Sequence, residues 1–199
     1  MKIYRSLLRI EFSLREESIM RLGPLPPEQW DDDVDRALIG MLPAARRNPA
    51  GAGVALGTLV RHPKLTKAFL GFNIHLLFRS TLPERLRELV ILRVAHRRGC
   101  TYEWTHHVIM GLEVGLTETD IEDLQHGTAA GALDRTVLAA VDELEEQSRI
   151  SDPTWSALAE HLDERQRMDL VFTVGCYGTL AMAFNTFGIE DEQQTEQER

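Results

Sequence analysis

The sequence predicts an all-α fold of about seven to nine helices, and three observations support this. Apolar residues recur three and four positions apart through most of the 199-residue chain. Prolines fall near the starts of these periodic stretches and glycines near their ends, as helix punctuation requires. Nowhere do two alternating apolar–polar runs flank a tight turn, so no strand–turn–strand unit is expected.

Residues 1–19 are amphipathic and mixed in charge. They lack the apolar stretch and small-residue cleavage site of a secretory leader. They are expected to be an appendage ahead of a start at Met20, or else a helix that packs on a neighbouring subunit. Residues 20–188 form the expected helical domain. Pro26-Pro27 opens a helix through Trp30, Val34, Leu38 and Leu42, and the Pro- and Gly-containing stretch 43–53 is a loop. A short helix covers 54–60, and His62-Pro63 opens a longer one ending near Phe78. The next runs over 83–98 until Gly99 breaks it, and another runs over 101–114 to a stop at Gly115. Thr117-Glu-Thr-Asp120 resembles a capping box for a short helix through Ile121 and Leu124. Residues 132–147 are an acidic amphipathic helix with Val137, Leu138, Val141 and Leu144 inward. Asp152 then caps a helix with Pro153 in its first position. The last helix, over 165–187, is apolar or small on nearly all sides and belongs at a centre or a subunit interface. Residues 189–199 are a charged tail expected to be disordered.

Composition narrows the function. A formal net charge of −9 argues against nucleic acid or an anionic membrane as partner, and Arg46-Arg47 and Arg97-Arg98 are too short to reverse it. No apolar run approaches the ~20 residues that span a bilayer. Two cysteines, Cys100 and Cys176, do not make a disulfide scaffold, so a cytoplasmic protein with reduced thiols is expected. Phosphate-cradling glycine loops, nucleophile elbows and dinucleotide fingerprints are absent, and no cofactor is expected.

The chemistry concentrates between Arg85 and His107. At ~100° per residue, Cys100, Glu103 and His107 share an arc of roughly 60° on one helix. Glu103 and His107, four apart, are spaced to hydrogen-bond, and a carboxylate beside an imidazole raises its pKa and sets its tautomer. That arrangement suits a general acid or base; an exposed ion pair of little worth is the plainer alternative. Cys100 follows the Gly99 break at a helix N-terminal edge, where a thiolate is stabilised, although a free cysteine is as readily a small buried hydrophobe. Glu88 lies within an apolar arc with Ile91, Leu92 and Ala95, so its carboxylate needs a partner: an arginine such as Arg85 or Arg87, or a role at the site. Trp104 flanks the Glu103–His107 face, and with Tyr102 it is assigned to substrate contact. His106 projects ~100° away from His107, so the two cannot converge on a metal ion, and no metal site is expected.

These residues carry a family resemblance. The segment from Arg85 to His107, with Gly115 and Thr117-Glu-Thr-Asp-Ile, resembles the carboxymuconolactone decarboxylase family of the alkylhydroperoxidase D-like superfamily. The opening Leu22-Gly-Pro-Leu-Pro-Pro-Glu-Gln-Trp and the late Tyr177-Gly-Thr-Leu-Ala-Met-Ala-Phe also look like this group. The resemblance implies an alkylhydroperoxidase D-like helical bundle and a homo-oligomer, often a trimer or hexamer. In the peroxidase branch a glutamate precedes a Cys-x-x-Cys and a histidine. Glu88 matches the glutamate, Cys100 the first cysteine and His107 the histidine, but Glu103 stands where the second, peroxide-attacking cysteine is found. Tyr102-Glu103-Trp104 looks more like the decarboxylase branch, which converts a carboxylated muconolactone to an enol-lactone. An acid–base enzyme acting on a small carboxylated or lactone-type substrate is therefore expected, with His107 moving the proton, Glu103 orienting it and Glu88 as a second acid or orienting group. Two alternatives are a one-cysteine peroxidase acting through Cys100 and a non-catalytic helical oligomer.

Overall fold

The computed structural model describes residues 20–190, so the 1–19 appendage and residues 191–199 of the tail lie outside the described residues. The described residues form nine α-helices and two single turns of 3-10 helix, with no strands. The chain divides into two compact units, one of residues 20–79 and 183–190 and the other Ser80–Met182.

In the first unit, the helix expected to run on from Pro26-Pro27 is instead split. A 3-10 turn at Pro27–Gln29 ends at Trp30, and α1 (Asp32–Ala37) starts afresh because Asp31 Oδ1 accepts from the amides of Asp33 and Val34 at 2.9 and 3.0 Å. The expected loop 43–53 also holds structure. Asn48 caps α2 (Pro49–Leu59), which kinks at Gly53 (φ 66°), a left-handed conformation that glycine adopts freely. The periodic stretch after the kink is thus the predicted short helix, with one extra capped turn in front. His62 Nδ1 accepts from Leu65 N to cap α3 (Pro63–Phe78). Leu25, Val34, Leu38, Val60, Leu70 and Ile74 are the core of this unit. Ile189, expected in the tail, is buried and bonded to Phe184 O.

The second unit is organised around α4 (Glu84–Arg97), in which every residue from Leu86 to Ala95 is buried. Against it pack α5 (Thr101–Glu113), α6 (Glu118–Gln125) and α7 (Ala132–Gln147), while α8 (Asp152–Ala159) packs on α7. Gly99 (φ 60°) makes the sharp turn between α4 and α5. The capping box before α6 is complete, with Thr117 and Asp120 bonding reciprocally at 2.9 and 3.0 Å. Ser151, rather than Asp152, caps α8: its hydroxyl accepts from the Thr154 amide at 3.5 Å, while its own amide and hydroxyl donate to Glu143 of α7 at 2.7 and 2.9 Å.

Arginines on α4 fasten this unit. Arg85 bridges Asp120 and Asp134. Arg93 grips Asp142 with two bonds at 2.8 and 2.9 Å and caps the α6 carbonyls of Leu124 and Gln125 at 2.8 and 2.9 Å. Arg97 and Arg98 reach Glu146 and Glu145 at 2.8 and 2.7 Å.

The final helix, α9 (Glu164–Phe187), has 24 residues. By length and composition it is apolar enough to cross a membrane, contrary to the sequence reading, but half of its most apolar window is buried inside the protein. Its first turn is tied by Asp169, whose carboxylate accepts from the Thr81 amide at 2.6 Å and hydroxyl at 2.7 Å.

Candidate active site

The turn at Gly99 folds α5 back onto α4 and brings their polar residues together inside an apolar helix pair. Glu88 of α4 has no exposed surface, and His107 and Glu103 of α5 are 5% and 6% exposed. Buried ionisable groups persist only when paired, and these are. His107 Nδ1 lies 2.6 Å from Glu88 Oε2, and its Nε2 lies 3.2 Å from Glu103 Oε2. Arg87 Nε donates to the other Glu88 oxygen, Oε1, at 3.1 Å. The result is a linear chain of alternating charge: Arg87, Glu88, His107, Glu103.

Both ring nitrogens of His107 face carboxylates, an arrangement that suits an imidazolium donating twice. Burial pulls the His107 pKa down, but the hydrogen bonds it donates to Glu103 and Glu88, and then their charges, outweigh it, raising the pKa from 6.5 to about 9. Burial alone pushes the Glu88 carboxyl up. The hydrogen bond and charge of His107, followed by Arg87, overcome this and leave it lowered. At neutral pH the imidazole therefore holds the proton, beside an ionised Glu88.

The members differ in what remains free. Glu88 has one oxygen on Arg87 and the other on His107. Among the described residues, Glu103 Oε1 has no hydrogen-bond partner. The chain thus closes at Arg87 and opens at Glu103. Tyr177 of α9 is set edge-to-face against His107, with ring centroids 5.0 Å apart.

The other sequence candidates are placed differently. Cys100 sits at the N-cap of α5, as its position after Gly99 implies, but it is only 1% exposed. Cys176 is also buried, and the two form no disulfide. Trp104 is wholly buried with its ring 5.8 Å from that of His96. Tyr102 stacks on the exposed His106 at 4.2 Å on the outer side of α5. Its angular position, ~140° from His107, accounts for this. Sequence spacing did not point to Tyr177, which reaches the site from a remote helix. Arg87 was visible only as one of two arginines able to pair with Glu88.

The carboxymuconolactone decarboxylase family model matches residues 63–146. This segment belongs to the carboxymuconolactone decarboxylase family. The family segment contains Arg87, Glu88, Cys100, Glu103 and His107, whereas Tyr177 lies beyond it. No curated protein matches the chain. Two solved structures are similar in fold. One is an Agrobacterium tumefaciens protein of unknown function, proposed as an antioxidant defence protein AhpD. It is 19% identical, covering 65% of this chain and 92% of its own, with a TM-score of 0.60. The other is an uncharacterised peroxidase-related protein with an alkylhydroperoxidase AhpD core from Ralstonia eutropha. It is 17% identical, covering 87% of this chain and 94% of its own, with a TM-score of 0.70. The architecture is thus the expected alkylhydroperoxidase D-like helical fold.

Proposed function

We propose that this chain, whose residues 63–146 match the carboxymuconolactone decarboxylase family model, is an acid–base enzyme acting on a small carboxylated or lactone-type substrate. The observation that carries this proposal is the buried Glu88–His107–Glu103 chain, with its 2.6 and 3.2 Å links and its open Glu103 end. The geometry favours a division of labour different from the one the spacing suggested. Glu88 orients His107 and holds it protonated, His107 is the proton reservoir, and Glu103 is the group that meets the substrate. In a decarboxylation the bond to the carboxylate carbon breaks, CO₂ departs, and the electron pair is held as an enolate conjugated with the lactone carbonyl. His107 Nε2 passes its proton to Glu103 Oε2, which delivers it to that carbon, and His107 is reprotonated from solvent before the next turnover. Positioned proton transfer of this kind is worth roughly 10²–10⁴ in rate.

A one-cysteine peroxidase acting through Cys100 is the second reading, favoured by the descriptions of the two structural relatives. In that case peroxide oxidises the thiolate to a sulfenic acid, which Cys176 or an external thiol reduces. Against it stand the burial of Cys100 and the carboxylate at Glu103. Self-association remains part of the proposal, since the outer side of α9 presents Met168, Phe172 and Met182 to solvent.

The test is a panel of carboxylated lactones and organic peroxides assayed against Glu103→Gln, His107→Gln and Cys100→Ser. Loss of lactone turnover by about 10²-fold or more in the first two, with Cys100→Ser near wild type, is expected. Peroxide turnover that disappears with Cys100 and survives in Glu103→Gln overturns the assignment.

A further inference from the structure

We propose that Arg87 is a positioning residue that decides where the proton sits in the buried chain, holding it on His107 by keeping Glu88 ionised. This deepens the acid–base function above and rests on it.

The first argument is what Arg87 does not do. Arg85, Arg93, Arg97 and Arg98, from α4 and its C-cap, all reach carboxylates on α6 or α7 or both and so tie helices together. Among the described residues, the only ion-pair partner of Arg87 is Glu88, its neighbour on the same helix. A bond between consecutive residues joins no two elements. Burying a guanidinium is costly, and the ion pair that offsets the cost here is made to the site carboxylate.

The second argument is geometric. Arg87 Nε is 3.1 Å from Glu88 Oε1, and His107 Nδ1 is 2.6 Å from Glu88 Oε2. Glu88 therefore lies between two cations, one of which never gives up its proton. The proton in the short bond has two resting places, Nδ1 and Oε2. A fixed positive charge on the opposite carboxylate oxygen makes Oε2 the poorer one. Glu88 faces Arg87 on its own helix and His107 on α5. Beyond His107 lie Glu103 on α5 and Tyr177 on α9. None of these others supplies a second permanent cation, so Arg87 is the fixed charge that adds to the bias already given by the more basic imidazole and its second carboxylate.

The experiment is nuclear magnetic resonance on the full chain, labelled with ¹⁵N-histidine and ¹³Cδ-glutamate. Loss of signals in His107→Gln and Glu88→Gln assigns the two residues. In the wild type, His107 Nδ1 should stay protonated at neutral pH, with the Glu88 midpoint below the ordinary 4.5. Arg87→Gln keeps a donor and drops the charge. It should raise the Glu88 midpoint by about one to two pH units, a roughly 10- to 100-fold gain in proton affinity, and move the Nδ1 signal toward its unprotonated position. Arg87→Lys keeps the charge and should restore most of the wild-type behaviour.

Equal shifts in the glutamine and lysine variants, or none in either, overturn the proposal. If Arg87→Gln does not fold, the wild type still decides, because a Glu88 midpoint above 4.5 overturns it as well. These readouts need no substrate. Their failure is therefore distinct from failure of the acid–base function, which would appear as retained turnover in Glu103→Gln.

Discussion

Removing the titrating pair at the site should change how stability depends on pH above neutrality. The reference protein is the double variant Glu88→Gln/His107→Gln, which keeps side chains of similar reach in the cluster but no charge on either. In the wild type the His107 pKa is raised from 6.5 to about 9 by its two carboxylates. A raised folded value means that the stabilisation is fully present below pH 6.5, declines as pH rises through 9, and is gone above about 10. At ~1.4 kcal/mol per pH unit, the span corresponds to about 3 kcal/mol, undiscounted because the imidazole is buried. For a chain of this length that is a fall of roughly 6–12 °C in Tm. Glu88 is shifted the other way, so its contribution holds above its ordinary 4.5, is lost only as pH falls through its lowered folded value, and does not vary in the alkaline window. Urea melts of both proteins followed by circular dichroism between about pH 6 and 10 give the difference curve. Cysteine, tyrosine and lysine ionisations are common to both and cancel. A difference that stays flat, or in which the wild type gains stability as pH rises, would refute the ion-pair assignment of the site.

Other outcomes follow from the same geometry. Arg93→Met leaves Asp142 and the Leu124 and Gln125 carbonyls without their donor, so a loss of about 3 kcal/mol in urea unfolding is expected. A loss under ~1 kcal/mol would show that solvent replaces it. Gly51→Ala drives a Cβ against the Arg46 carbonyl oxygen, so the capped first turn of α2 should shift at a cost of about 1–3 kcal/mol. An unchanged melting curve would contradict the close approach. Cys100→Ser should leave lactone turnover near wild type, because the thiol is buried at an N-cap and is not a member of the charge chain; a deep loss of activity returns weight to thiol chemistry.

How legible the site was depended on distance along the chain. Glu103 and His107 are four apart on one helix, so their pairing was readable from a 3.6-residue period. Glu88 was legible as an anomaly, a carboxylate on an apolar arc, because burial forces such a group to find a partner. Which partner was not legible. Arg87 and His107 both claim it, the latter only because Gly99 turns α5 back against α4. Trp104 shows the limit of angular argument: helical phase placed it beside the pair, yet packing buried it wholly against other residues. The early helices failed for a local reason, since Asp31 and Asn48 start new turns inside stretches read as one helix and as one loop.

Sequence by itself determined the all-α class, most helix boundaries after His62, the family of the central segment and the Glu103–His107 couple. These follow from periodicity, capping chemistry and a local motif, all of which act within a few residues. Tertiary structure alone decided that Glu88 and Glu103 bracket the imidazole, that Arg87 and Tyr177 complete its surroundings, and that Cys100 and Trp104 are buried. Those facts depend on which helix faces meet after the chain turns. At that meeting the two carboxylates bond the imidazole from both sides and outweigh the cost of burying it, which raises the His107 pKa to about 9.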